Sequence, residues 1–242
     1  MCGIVGLFLK NPALEPELGK HLSTMMIAMS DRGPDSAGIA LYGHAQDGGR
    51  LTLFHPDTGY DWGGLATALS AALGAEASLA TKGNHAIVTL RGETAPARAW
   101  IKANRPELRV MGYGKAMDVF KDMGRPAAVS RRYDLPHAQG THGICHTRMA
   151  TESAVTTEHS HPFTAADDLC LVHNGSLSNH NRLREWLARR GQEFETDNDS
   201  EVAARYFAHR LGEGATLTEA LEAGLKDLDG FYTFAMGTRD GF

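Results

Sequence analysis

The sequence opens "MCGIVGLF" (residues 1–8), a cysteine directly behind the initiator methionine and then a short apolar run. Two readings compete for it. In the plainer one, Ile4 to Leu9 is an ordinary buried edge of the fold, within a strand expected over about 2–8, and Cys2 is a small hydrophobe at its start. In the sharper one, Met1 is trimmed because a small residue follows, and Cys2 becomes the N-terminus. A thiol and a free α-amine then share one residue, a nucleophile beside its own base. An α-amine has a pKa of about 7.7–8.0, against about 8.5 for a thiol, so it accepts the thiol proton near neutral pH. The run ends at Lys10 and Pro12 with no positive segment before it, which argues against a signal peptide. It is also too short to span a membrane, as is every later apolar stretch.

The chain has 242 residues, of which 42% are hydrophobic and 22% charged, an ordinary balance for a globular protein of one sizeable domain. A net charge of −5 without a strongly basic segment argues against nucleic acid as the main partner. The cysteines Cys2, Cys145 and Cys170 are too few and too irregular for a disulfide framework. They suit a reducing compartment and lead us to expect a cytoplasmic protein. Histidine is the unusual feature. Seven of the 12 fall between His137 and His180, crowding that signals a metal site or a polar active site.

Periodicity gives a coarse element order. Leu18, Leu22, Met25, Met26 and Met29 share one helical stripe, which predicts a helix over about 15–30. Gly33-Pro34 ends it. A strand at 39–42 is expected to pair with 51–54 as a hairpin across the glycine-rich "GHAQDGGR" (43–50). Residues from about 61 to 136 read as a separate α/β insertion: helices at "LATALSAALGA", "PARAWIKANR" and "KAMDVFKDMG", strands at "NHAIVTLRG" and "ELRVMGYG". Beyond it, "THGICHTRMAT" and "DLCLVHNGS" read as strands running into loops. Three helices follow, the last opened by a Thr216-to-Glu219 capping box, and "FYTFAMG" closes the chain as a strand. Helices grouped between strands, without strict βαβ alternation, predict an α+β layered fold.

Several short stretches have the side chains that amide chemistry needs. "HNG" (173–175) places a side-chain amide and a following backbone N–H at the end of an apolar strand, as an oxyanion hole requires. Asn-Gly is also the commonest hairpin turn, and that reading stands beside it. Arg148 in "HTRMAT" suits bidentate capture of a carboxylate. Asp197 and Asp199 in "TDNDSEV" stand just before a helix, where either could cap it or hold an amino group.

Together, "MCGIVG", "RGPDSAG", "HTRMAT", "SHPF", "HNGSLSN" and "DNDSEV" appear in the order seen in class II glutamine amidotransferases. The chain resembles the glutaminase domains of that family, which are N-terminal-nucleophile hydrolases. The resemblance covers roughly residues 2–43 and 140–240, leaving the insertion outside it. It implies a four-layer αββα sandwich over residues 2–242, interrupted at about 61–136. It also implies that Cys2 is the nucleophile, with Asn174 and Gly175 as the oxyanion hole. Arg148 would bind the α-carboxylate of L-glutamine, Thr151 would line that pocket, and Asp199 would bind the α-amino group, with Asp197 as its rival.

Compact sugar-forming members usually carry tryptophan where Met149 stands and histidine where Glu152 stands. "TRMATES", "HNGSLSNHNRLR" and the long insertion are more similar to glutamate-synthase-related subunits, particularly the amidotransferase subunit of N-methylglutamate synthase. That likeness implies a hetero-oligomer with a synthase subunit. It implies no cofactor in this chain, and FMN and an iron–sulfur cluster on the partner. The family usually has further strands after "FYTF", so an end at Phe242 leads us to expect C-terminal truncation or strands supplied from elsewhere. Two rival readings have less support: an N-terminal-nucleophile amide hydrolase of other specificity, and a metal-binding regulatory module on His142, Cys145, His146, Cys170 and His173. The spacing of that set fits no common zinc pattern.

Overall fold

The opening run forms β1 (Gly3–Phe8) and pairs antiparallel with β8 (His142–Arg148), Gly3 opposite Thr147 and Phe8 opposite His142. β2 (Ser36–Tyr42) pairs with the other side of β8, and β7 (Met117–Met123) completes a sheet of order β1-β8-β2-β7. The computed structural model describes residues 2–150 and 155–242. Both β2 and β8 are buried along their whole length, as strands covered on two faces must be. On one face Val5, Ile39, Phe120 and Cys145 pack on Leu18, Leu22 and Met26 of α1 (Leu18–Ala28) and on Val129 of α4 (Pro126–Arg132). On the other face Ala40, Tyr42 and Ile144 meet Cys170 and Val172 of β10 (Leu169–Leu177).

β10 is the centre of a second antiparallel sheet, flanked by β9 (Phe163–Ala166) and β11 (Gly230–Gly237). Its side chains alternate, so Leu171 and Leu177 point the other way. With Phe163 they pack on α5 (His180–Ala188), α6 (Asp199–Gly212) and α7 (Leu217–Asp227) through Leu187, Val202, Ala203, Tyr206, Phe207 and Ala220. The capping box expected at Thr216 and Glu219 opens α7. The layers run helix, sheet, sheet, helix: an α+β fold in the expected αββα order.

A third sheet of order β4-β5-β3-β6 stands apart. It comprises β3 (Gly49–Phe54), β4 (Ala77–Lys82), β5 (His85–Leu90) and β6 (Arg109–Gly114). Leu51, Leu53, Val88 and Leu90 bury against Leu65 and Leu69 of α2 (Leu65–Leu73) and Ala97 and Ile101 of α3 (Thr94–Asn104). The insertion was expected at about 61–136. The third sheet takes its strands from residues 49–114, while β7 and α4 pack with the first sheet and α1.

Three local expectations differ from the structure. The hairpin of 39–42 with 51–54 does not form, because β2 and β3 belong to different sheets. The glycines between them serve a close approach instead. Gly48 has φ +144°, and a Cβ there would stand 2.1 Å from the Leu90 carbonyl oxygen. "KAMDVFKDMG" contains strand β7 rather than a helix. Its charged residues have internal partners. Asp118 pairs with Arg50, Lys121 donates to the Glu158, Ser160 and Pro162 carbonyls, and Asp122 accepts from Tyr133 and Thr157. The helix expected from residue 15 begins as a 3-10 turn over Pro12–Glu17, because Pro16 has no N–H for an α-helical bond.

Candidate active site

β8 delivers alternate side chains to opposite faces, so His142, Ile144, His146 and Arg148 turn toward the second sheet and Cys145 turns toward α1. Pairing of Gly3 with Thr147 brings Cys2 to the end of β8. There the Met149 N–H donates to the Cys2 Sγ at 3.4 Å, and Sγ lies 3.7 Å from the Met149 carbonyl oxygen. Cys2 is partly exposed, whereas Cys145 and Cys170 are buried. Burial pushes the Cys145 thiol strongly up, and it pushes Cys170 up to about 12. The thiolate is the nucleophilic form, so neither inner cysteine is a candidate near neutral pH.

Asn174 lies opposite Thr233 in the middle of the β10–β11 ladder, and β10 continues through Leu177. The Asn-Gly pair is therefore not a hairpin turn. Gly175 has φ +126°, and a Cβ would stand 2.0 Å from the Phe231 carbonyl oxygen. Both conformation and space restrict this position to glycine. Asn174 faces the first sheet, where its Nδ2 donates to the Cys2 carbonyl oxygen at 3.2 Å. Arg148 is only 5% exposed, and its charge adds to the forces that disfavour protonation of His146 and His161.

The two aspartates part company. The Asp197 side chain is 88% exposed and pairs with His159 at 2.8 Å. Asp199 opens α6 and turns inward, accepting from the Leu177 N–H at 2.9 Å with the His173 Nδ1 3.7 Å away. Burial pushes the Asp199 carboxyl up, but His173 and the Leu177 N–H outweigh it and hold the group below the usual carboxylate range. Asn198, between the two aspartates, caps α6 through the Ser200 N–H. Thr151 and Glu152 lie outside the described residues.

Neighbouring roles were not assigned from the sequence, although their motif was quoted. Arg32 Nε donates to the Cys2 carbonyl oxygen at 3.3 Å, and Asp35 Oδ2 accepts the Ala150 N–H at 2.8 Å. The Asp35 N–H donates to the Arg148 carbonyl oxygen, so "RGPDSAG" is laced along "HTRMA". Gly33 is required for that lacing, since a Cβ would stand 2.3 Å from the Thr147 carbonyl.

Three of the seven crowded histidines, His146, His161 and His173, form a buried cluster. His146 and His161 rings lie 4.1 Å apart, and the Ser200 hydroxyl contacts both His161 Nε2 and His173 Nδ1 at 2.8 Å. Burial, then its neighbours' charges, hold His161 far below its ordinary value, and burial lowers His146 to about 4. Both are neutral imidazoles at pH 7. The five residues of the metal-binding rival do not converge. Cys145 faces α1, His142 stacks on Tyr42 with its Nε2 on the Thr238 carbonyl, and Cys170 meets the Tyr42 hydroxyl. Among the described residues no three His, Cys, Asp or Glu side chains are placed to hold a metal ion. Among the same residues, no helix is long and apolar enough to cross a membrane.

The glutamine amidotransferase domain model matches residues 146–241. "Glutamine amidotransferase-like protein GlxB" of Rhizobium meliloti (strain 1021) is 51% identical over 244 residues, covering 100% of this chain and 81% of that protein. A "putative glutamine amidotransferase" of Methanothermobacter thermautotrophicus is 34% identical over 255 residues, covering 100% of this chain and 83% of its own length. A solved "structure of the allosteric regulatory enzyme of purine biosynthesis" superposes with TM-score 0.46 at 19% identity, over 84% of this chain and 35% of that one. With one relative sharing 51% of its residues along the entire chain, and 81% of that relative covered, this protein belongs to the glutamine amidotransferase family.

Proposed function

We propose that the chain hydrolyses L-glutamine to glutamate and ammonia through a thioester on Cys2. One observation carries the reading. The single cysteine that is not buried has its Sγ against the Met149 backbone, and its carbonyl is held by the Asn174 amide that adjoins Gly175. Removal of Met1 frees the Cys2 α-amine as the base. The amine takes the thiol proton as Sγ attacks the side-chain amide carbon. The oxyanion that forms is met by Asn174 Nδ2 and the Gly175 N–H. The ammonium then returns its proton to the leaving nitrogen, ammonia departs, and a thioester remains. Water, deprotonated by the same amine, attacks the thioester and releases glutamate with the thiol restored.

Recognition uses the ends of the amino acid. Arg148 complements the α-carboxylate, and the inward-facing, ionised Asp199 complements the α-ammonium better than the solvent-facing Asp197.

Ammonia released into neutral water is mostly protonated and no longer nucleophilic, so its value lies in direct transfer. The chain therefore acts as the glutaminase subunit of a cytoplasmic hetero-oligomer and hands ammonia to a glutamate-synthase-like subunit, as in N-methylglutamate synthase. FMN and an iron–sulfur cluster belong to that subunit, and none is needed here. Titrating the candidate synthase subunit into a glutaminase assay with its acceptor present tests the assignment. Stimulated turnover is the expected result. Activity that is already maximal for the chain alone, and indifferent to partner and acceptor, contradicts it.

A further inference from the structure

One chain of hydrogen bonds leaves no freedom in how it is read. His146 Nε2 lies 3.1 Å from the His173 carbonyl oxygen and 2.9 Å from the Asn174 side-chain amide. The carbonyl can only accept, so Nε2 must carry the imidazole proton. The amide atom facing that N–H must then be the acceptor, Oδ1. The opposite atom, Nδ2, consequently faces the Cys2 carbonyl oxygen, an acceptor at 3.2 Å. Each contact agrees with the next. A flipped amide would set N–H against N–H at one end and oxygen against oxygen at the other.

We propose that His146 is a positioning residue for the oxyanion hole: its Nε2–H locks the Asn174 amide so that Nδ2, and not Oδ1, points to the reacting centre beside Cys2. The inference rests on the glutaminase reading given above. An asparagine amide is nearly symmetric in shape, so packing alone does not choose between its two orientations. A fixed donor behind Oδ1 does. Protonation would leave the Nε2–H donor in place but add a second N–H at Nδ1 in a buried setting. There Nδ1 has no hydrogen-bond partner among the described residues, and the His161 ring lies 4.1 Å away. Burial, which lowers the group to about 4, keeps it neutral. The rigid base of the lock is the strand pair itself. His146 is opposite Ile4 and Gly38 in the first sheet, while Asn174 is held in the β10–β11 ladder.

The test is a double-mutant cycle on the full chain, read as kcat and KM for glutamine. His146→Leu removes the donor at similar volume and is expected to lower kcat about 10–100-fold, within the loss expected for removing the Asn174 donor itself. KM should change less than about threefold, since ground-state recognition is untouched. His146→Gln returns a side-chain N–H and should recover part of the loss. In the Asn174→Ala background, His146→Leu should have almost no further effect on kcat, because the amide it positions is gone. Losses that multiply in the double variant would overturn the proposal, as would an unchanged kcat in His146→Leu. If His146→Leu does not fold, as judged by its melting transition, His146→Ala takes its place in the same cycle. Cys2→Ala is run beside them. If it keeps turnover, the glutaminase reading falls and the lock falls with it. If it is inactive while the cycle is multiplicative, only the lock is wrong.

Discussion

In the third sheet, the buried polar residues turn outward to the rest of the chain. Thr52 accepts the Val119 N–H, Asn84 binds Asp122 and Tyr133, His85 follows Asn84 into the Phe120 and Tyr133 rings, and Thr94 donates to Asp167. Around β8 and β10 the buried polar residues turn instead toward one another. His146, His161, His173, Ser200, Asn174 and Asp199 form one connected group ending at Cys2. The first pattern seals a seam between two cores. The second builds a polar layer between two sheets at a point where apolar contacts would give more stability. A buried unpaired polar group costs about 1–3 kcal/mol, so such a layer persists only where its members satisfy each other. Three ring nitrogens in it, His146 Nδ1, His161 Nδ1 and His173 Nε2, lack partners among the described residues. The seam has one such atom too, His85 Nε2, so what sets the layer apart is its connection to Cys2.

Substitutions separate the two regions most sharply at the nucleophile. Cys2→Ala should abolish glutamine turnover while glutamine still protects the protein against thermal unfolding, because the pocket that reads the amino acid remains. Cys145→Ala and Cys170→Ala should retain turnover and lose stability only. Loss of turnover in those two variants, with Cys2→Ala active, would assign the chemistry to the wrong layer.

Next in size is the oxyanion donor. Asn174→Ala should lower kcat by about 10²–10³ with little change in KM, the usual loss for one such donor. Arg148→Ala should act mainly on KM, because the contact proposed for it with the carboxylate would exist in ground and transition states alike. Asp199→Ala should raise KM far more than Asp197→Ala, whose side chain faces solvent. Equal KM effects at Asn174 and Arg148 would contradict this division of labour.

The seam should respond in stability alone. Asn84→Ala leaves Asp122 and Tyr133 each short of one partner and should cost about 1–3 kcal/mol with kcat and KM unchanged. His85 adds a pH signature. Burial lowers it to about 3, so between pH 6.5 and 3 the unfolded chain binds a proton that the folded chain refuses. Its contribution is complete above about pH 6.5 and is lost as pH falls toward the folded value. His85→Phe should therefore flatten the acid side of the melting-temperature profile. An unchanged slope would mean that the ring is protonated in the folded protein.

The same contrast explains what the sequence made legible. Motifs around β8 and β10 could be read because each combines a fixed main-chain feature with a chemical group. Gly175 at φ +126° beside Asn174 and Gly33 against Thr147 are examples in which only one residue type fits. The seam was not legible in this way. The segment of Asp118, Lys121 and Asp122 was expected as a helix, and the partners that hold it as a strand, Arg50, the 158–162 carbonyls and Tyr133, are distant in sequence. The glycines at 48 and 49 carried a local hairpin signal that lost to longer antiparallel registers with β5 and β6. The histidine crowding was visible from counts, but its geometry was not. Alternation along β10 sends His173 toward α6 and Asn174 toward β8, a separation that depends on strand register.

The central claim is that Cys2, freed as the N-terminus, is the acylated residue. Rapid acid quench of the protein with excess glutamine, followed by peptide mass mapping, tests it most directly. The account predicts a glutamyl thioester on a peptide that begins at Cys2, absent from Cys2→Ala and lost on treatment with hydroxylamine. An adduct on Cys145 or Cys170, or turnover by protein that retains Met1, would contradict it.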